Sequence, residues 1–510
     1  MKKFIILFSF LALPFSIFAQ PRPKLVVGIV VDQMRWDYLY RFYDEYTDGG
    51  FRRLLNEGFS CDNCEINYVP SITAIGHTSV FTGSVPSIHG IAGNNILING
   101  KETYCCNDTT VKTVGSDTNN GQRSPRNLLS TTIGDELRIA TNWKSRVIGV
   151  SFKDRAAIFP AGNGANAAYW FDSKALRFIS STYYMNQLPD WVNDYNKRIG
   201  KEIESLNKNK KDKDTRTIDL IQYEPYGNEI TVGMAQAAIE NERLGQQGEC
   251  DMLTLSFSCT DITGHQYGTH GEKTHAQYIE LDKQLAKFFQ YLDNKIGRGQ
   301  YLVFLTADHG AANSIQLLQE HNLPAGDFNA GELKKHLNEQ LNSILTPHRG
   351  QGGLPLVTNI MDYKVVLDHQ VVAQEGINET KLKEVIVSIC QQWPNVMYAV
   401  DLERVQQSSI PALIREKIIN GYHHERSGDV QLVLKPQHFG AWKNIGYGTT
   451  HGLWNSYDCH IPFVLMGWGI THGSTKAECH ITDIAPTVCA IINIQKPNGT
   501  IGNPVVQVTQ

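Results

Sequence analysis

The chain has 510 residues, 41% of them hydrophobic and 19% charged, with a formal net charge of −4. That length can bury one large core or two smaller ones. The slight acidity and the lack of any long Lys/Arg run exclude nucleic acid as the main partner.

Met1-Lys2-Lys3, the apolar run from Phe4 to Phe18 and the small residues around Ser16 and Ala19 have the build of a secretory leader, which puts the mature start at Gln20. The run is short for a membrane span and no later stretch is long enough. The expectation is a periplasmic or secreted protein, free of the membrane once residues 1–19 are removed. Ten cysteines follow, among them Cys61-x-x-Cys64. In an oxidising compartment an even count suggests disulfides, and without a second CxxC or a matching His pair a structural bridge is the better reading of that motif than zinc.

Val26 to Val31 is apolar except for Gly28, as in a strand buried on both faces of a parallel sheet, and Asp32 follows. Tyr38 to Asn56 has helical spacing with a break at Gly49-Gly50. After Pro70-Ser71, a helix starting at Thr73 and ending near Gly83 is predicted, so Thr73 lies where free backbone N–H groups favour an anion or where a side chain can cap. A glycine-punctuated loop then runs from Ser84 to Asn94.

Residues 128–141 read as helix, and Arg146 to Phe152 as a strand delivering Lys153 and Arg155, which strand alternation can point the same way. Residues 190–225 are polar and Lys/Asn-rich, and are expected at the periphery. The mixed-sign run holding Lys208, Lys210, Lys211 and Lys213 with Asp212 and Asp214 is expected to be a solvated loop. A helix near Glu229 to Leu244 precedes a strand from Asp251 to Asp261, with His265 four residues on. Gln277 to Ile296 is an amphipathic helix feeding the strand Tyr301 to Ala307, which ends in Asp308-His309-Gly310.

Between His309 and Gly446 the character changes: a Gly/Pro-rich segment at 349–356, an amphipathic helix from Glu379 to Gln391, and alternation from Asp429 to Leu434. Residues 311–445 are read as an inserted α+β cap subdomain within a catalytic domain of residues 20–310 and 446–510. The chain returns with Thr450-His451-Gly452, a strand from His460 to Gly467 and a helix beginning near Ile481. Strands alternating with helices over this length predict an α/β fold, a doubly wound and mostly parallel sheet with helices on both faces. In such sheets ligands collect beyond the carboxyl ends of the strands.

Asp32, Asp261, His265, Asp308, His309 and His451 gather there as three carboxylates and three imidazoles, enough for two three-ligand sites with open positions. Spacing alone does not partition them, and His77, His89, His270 and His460 are not excluded by residue type. The ordered stretches Val-Val-Asp32-Gln-Met-Arg-Trp-Asp, Thr73-Ala-Ile-Gly-His, His89-Gly-Ile-Ala-Gly-Asn94, Lys153-Asp-Arg155, Thr260-Asp261-Ile-Thr-Gly-His265, Ala307-Asp308-His309-Gly310 and Thr450-His451-Gly452 make the sequence resemble the alkaline phosphatase superfamily, nearest the PafA-type periplasmic alkaline phosphatases. The resemblance covers nearly the whole mature chain outside the insertion.

It implies two Zn²⁺ ions, one held by Asp261, His265 and His451 and one by Asp32, Asp308 and His309, with the Thr73 oxygen completing the second. It further implies Thr73 as the nucleophile forming a phospho-threonine, and Asn94, Lys153 and Arg155 binding small phosphate monoesters. Diester-cleaving members look similar at the ligands but lack the Lys-x-Arg pair, so a nucleotide pyrophosphatase/phosphodiesterase is the alternative. A sulfatase would need Arg where Ser84-Val-Pro86-Ser87-Ile88 has Ile88. A zinc-dependent binding protein without turnover is the remaining contrast, and a monomer is compatible with all of this.

Overall fold

The computed structural model describes residues 22–210, 212–345, 353–440 and 446–509. The expected leader with its Gln20 start, Lys211 and the first part of the 349–356 segment lie outside them.

Leu25–Val31 is buried along its entire length, which is why it carries no polar alternation. It runs parallel between Asp251–Phe257 and Tyr301–Thr306, with Val30 level with Ser256 and Thr306. Val147–Ser151 and Ala167–Asp172 extend the parallel block. Antiparallel strands flank both sides, Phe463–Gly467 next to Tyr301–Thr306 and Arg177–Ser181 next to Ala167–Asp172, and Phe59–Cys61, Gly473–Thr475 and Thr113–Val114 bring the sheet to ten strands among the described residues. The parallel strands end almost level, so Asp32, Lys153, Ser258 and Asp308 emerge together at one edge of the sheet. The predicted doubly wound α/β fold is the fold observed.

Several element bounds differ from expectation. Asp251 to Asp261 is not one strand: the strand stops at Phe257 and Asp261 sits in the first turn of the helix Cys259–Tyr267. Lys153 is the last extended residue before the helix Asp154–Ala161, whose first turn holds Arg155. Strand alternation therefore does not relate that pair. Tyr38 to Asn56 is a short helix, Tyr38–Arg41, a 3-10 turn, Tyr43–Glu45, and the helix Phe51–Glu57 after the glycine pair. The helix expected over 128–141 is Ile133–Ala140, started by a capping box between Thr132 and Asp135.

Residues 190–225 are less peripheral than their composition implied. They contain the helix Asp190–Lys208, which buries Val192, Tyr195, Ile199 and Ile203 along one stripe. All ten cysteines are free thiols and buried, so the expected Cys61–Cys64 bridge is absent. Cys64 instead stands beside Cys479 where two short strands pair.

The insertion builds a second layer. Val357–Met361, Lys364–Leu367, Val430–Leu434 and Val396–Asp401 form an antiparallel sheet in that order. The helices Ala330–Leu345 and Glu379–Gln391 bury Leu337, Leu341, Leu382 and Ile386 in a separate apolar cluster that also takes in Leu453. One edge of this unit is pinned by charge: His369 Nε2 lies 3.1 Å from Asp429 and its Nδ1 3.3 Å from Glu379. The hydrogen bond to Asp429, opposed by burial, raises His369 to about 9.

A pKa raised on folding contributes stability that is complete below the unfolded value, about 6.5, and is lost as pH rises through the folded one. The thermal midpoint is therefore expected to fall between about pH 6.5 and 9, and His369→Gln to flatten that part of the profile. An unchanged profile in the variant would mean the imidazole carries no charge there.

Candidate active site

Thr73 opens the helix Thr73–Thr82 and is buried, with Ile72 in the capping position and contributing no side-chain cap. The threonine hydroxyl is thus not spent on capping. This helix is pressed onto the strand end that carries Asp308. A Cβ built on Gly76 would stand 2.2 Å from the Asp308 carbonyl oxygen, so only glycine permits the approach. Thr73 Oγ1 then lies 3.4 Å from His309 Nε2. One turn on, His77 Nδ1 donates to the Thr73 carbonyl at 2.9 Å and lies 3.1 Å from Asp308 Oδ2, while Nε2 meets Ser256 Oγ at 2.7 Å. His77, which residue type alone did not exclude, thus touches both Thr73 and Asp308, and its signal was the four-residue step from Thr73 on one helix.

The three other imidazoles share one arrangement. His265 Nδ1 donates to the Thr449 carbonyl at 2.8 Å, His309 Nδ1 to Gly310 at 2.9 Å and His451 Nδ1 to Ser71 at 2.8 Å. A carbonyl only accepts, so each Nδ1 bears the proton, and in the neutral ring each Nε2 presents a lone pair. Those lone pairs face carboxylates: His265 and His451 lie 3.1 and 3.5 Å from Asp261 Oδ1, and His309 lies 3.5 Å from Asp32 Oδ1 and 3.4 Å from Asp308 Oδ2. Acceptor against acceptor in a dry interior is unfavourable unless a cation lies between. Asp32 Oδ1 is buried with no hydrogen bond among the described residues, and Asp308 Oδ2 is buried with only the close approach of His77 Nδ1. Backbone-oriented imidazoles, buried carboxylate oxygens and an N/O donor set together fit a metal centre.

Donor atoms of Asp32, Asp308 and His309 lie within 4.8 Å of one another, as do those of Asp261, His309 and His451. His309 therefore adjoins both groups, and its ring stacks on that of His451 at 3.5 Å. Helical spacing sets His265 over Asp261, four residues apart, which the expected strand would not have done.

Lys153 Nζ bridges the two groups, donating to Asp32 Oδ2 at 2.7 Å and to Asp261 Oδ2 at 2.6 Å. Burial pulls the ammonium down, but Asp261 and Asp32 hold it above the usual lysine range. Burial and then the neighbouring Asp308 push Asp32 well up. Three buried carboxylates against one ammonium leave two negative charges uncompensated. Gln33, in a left-handed conformation (φ 65°) just past the strand, adds an Nε2 donor to Asp261 Oδ1 at 2.6 Å.

Asn94 Oδ1 accepts from the Ala74 N–H at 3.1 Å, which sets its amide beside the nucleophile with the Nδ2 donors unpartnered among the described residues. Arg155 approaches from its own helix, its Nη1 on Tyr104 Oη at 3.0 Å and its Nε buried without a partner. Tyr104 in turn donates to Asp154, which also receives Arg123 Nε. Asp32, Thr73, Lys153, Asp261, His265, Asp308, His309 and His451 are thus linked through short contacts, Asn94 lies beside them through Ala74, and Arg155 contacts Tyr104 and Asp154 rather than any of them. His89 instead pairs with Ser79 inside the core, and His460 stacks on Trp36. A cavity of about 270 Å³ opens over Asn94, His265 and His451 and is also lined by Phe328, Ile360, Asp362 and Tyr363.

The model of the family "Type I phosphodiesterase / nucleotide pyrophosphatase" matches residues 26–453. The chain is 44% identical to alkaline phosphatase PafA of Elizabethkingia meningoseptica, over 96% of this chain and 95% of that protein. It is 43% identical to alkaline phosphatase PhoV of Synechococcus elongatus, over 96% and 93%. A crystal structure of wild-type alkaline phosphatase PafA superposes with a TM-score of 0.90 at 43% identity, covering 96% of this chain and all of that one.

Proposed function

Because the chain belongs to the type I phosphodiesterase / nucleotide pyrophosphatase family and matches its alkaline phosphatases over nearly its whole length, we propose that it is an exported alkaline phosphatase that hydrolyses small phosphate monoesters with Thr73 as nucleophile. Asp32, Asp308 and His309 would hold one Zn²⁺, and Asp261, His265 and His451 a second, with 311–445 as the inserted cap. When bound, the pair supplies Lewis-acid activation of the attacking oxygen and charge stabilisation on both sides of an in-line displacement.

The chain's own residues do the rest. Thr73 Oγ1, fixed at the start of a rigid helix, attacks phosphorus and the P–O bond to the alcohol breaks, leaving a phospho-threonine that water then cleaves. The Nδ2 donors of Asn94 and the Arg155 guanidinium address the non-bridging oxygens. Lys153 keeps Asp32 and Asp261 apart and adds a positive charge beneath the transferring group. Residues 1–19 direct export, and among the described residues no helix is long and apolar enough to cross a membrane.

The observation that carries the monoester reading is the Lys153 ammonium set between the two carboxylates, with Arg155 two residues on. A monoester dianion has one more charged oxygen than a diester, and charge-assisted donors stabilise that excess. Purified protein is expected to cleave an aryl phosphate monoester much faster than the matching diester. Arg155→Ala should lower monoester kcat/KM by about 10²-fold and diester kcat/KM by clearly less. Equal losses, or a wild-type preference for the diester, would favour the phosphodiesterase alternative.

A further inference from the structure

The insertion reaches the cavity through one hairpin tip. Val357–Met361 and Lys364–Leu367 pair antiparallel with Met361 opposite Lys364, so Asp362 and Tyr363 alone form the turn. Both have positive φ, 49° and 60°. Two-residue turns of this kind favour glycine at the second position, and a tyrosine there is held by its surroundings. Its hydroxyl accepts from the Gly440 N–H at 3.2 Å, its ring lies 5.8 Å from that of Phe328, and its carbonyl accepts from Leu432 N–H at 2.8 Å. The tip is therefore rigid, and Asp362 lines the same cavity as Asn94, His265 and His451.

Asp362 has no hydrogen bond from any described residue, and its Oδ2 is buried. It abuts the loop of the phosphoryl-binding asparagine: a Cβ on Gly93 would stand 2.6 Å from that oxygen. Lys364 is the nearby cation, but its Nζ donates to the Ala92 carbonyl at 3.4 Å and makes no ion pair with Asp362 among the described residues. An unpaired carboxylate in a polar cavity is costly unless something in the cavity meets it.

Resting on the phosphatase reading above, we propose that Asp362 forms a leaving-group subsite that selects monoesters of ammonium-bearing alcohols and disfavours those of carboxylate-bearing ones. Nothing else in the catalytic apparatus reads the released alcohol. The subsite acts through charge placed in the cavity that Asp362 shares with Asn94, His265 and His451. Burial, partly offset by Lys364, raises the Asp362 carboxyl to about 6, so it is ionised at alkaline pH.

The test compares three monoesters of similar size on the metal-loaded full chain at about pH 8, where such a carboxyl is ionised: phosphoethanolamine, propyl phosphate and phosphoglycolate. Wild-type kcat/KM is expected to fall in that order by about tenfold per step. Asp362→Asn keeps the shape and suits a positive φ, and it should bring the ratios among the three close to one. Asp362→Ala should do the same. A flat order in the wild type, or an order unchanged in both variants, would overturn the subsite while leaving the phosphatase reading intact. Failure to hydrolyse propyl phosphate at all would remove both.

Discussion

Thr73→Ala is expected to lower steady-state monoester hydrolysis by at least roughly 10⁴-fold while the protein stays folded and keeps its metal. The reason lies in how little else the hydroxyl does. Its one contact is the long approach to His309 Nε2, 3.4 Å, and the helix start is set by Ile72 and by the close approach of Gly76 to Asp308. Removing it leaves no buried partner unpaired and only a small void. Six carboxylate and imidazole ligands remain, so metal analysis of the variant should match the wild type. Thr73→Ser restores the oxygen and should recover turnover to within about tenfold. A binding protein without turnover would show no such contrast, and an alanine variant that still hydrolyses monoesters would transfer the nucleophile to a water.

The parts of this centre legible in the sequence are those where a long apolar run stops at a charged residue. Asp32 and Asp308 follow strands buried on both faces, so their exit points could be read directly. Asp261 could not be placed that way, because Ser256 to Thr263 mixes Ser, Thr, Phe and Ile and carries no visible boundary between strand and helix. Only packing over the Asp32 strand ends the strand at Phe257, and the helix that follows is what sets His265 over Asp261.

Arg155 was paired with Lys153 for a geometric reason that does not apply, since a helix rather than a strand presents it. Its anchor Tyr104 lies some fifty residues earlier in a short strand, Lys101–Tyr104, that no pattern announces. The Asp362 tip was equally invisible, because a two-residue turn is usually marked by glycine and here has none. The roles that were missed belong to residues whose neighbours are distant in sequence and whose backbone breaks the local preference.

Lys153→Met is expected to cut monoester kcat/KM by roughly 10³-fold and to destabilise the chelator-treated protein more than the metal-loaded one. The ammonium is the sole donor to Asp32 Oδ2 and Asp261 Oδ2, and its side chain is 12% exposed. Taking it away leaves two buried carboxylates facing each other, a disruption that costs about 3–5 kcal/mol when one partner of a buried pair is deleted. Without metal the Gln33 amide and the His265 ring beside Asp261 offset them only in part, so the thermal midpoint should drop furthest in chelator. With metal restored the carboxylates regain cationic partners, and the remaining deficit should appear in catalysis, larger for a monoester than for a diester. Lys153→Arg keeps the charge, but a planar fork does not fit two single oxygens on separate residues, so it should fall between the two. If the methionine variant were as stable in chelator as the wild type, the carboxylates would not depend on Lys153. The charge balance of the centre would then have to come from the metal ions alone.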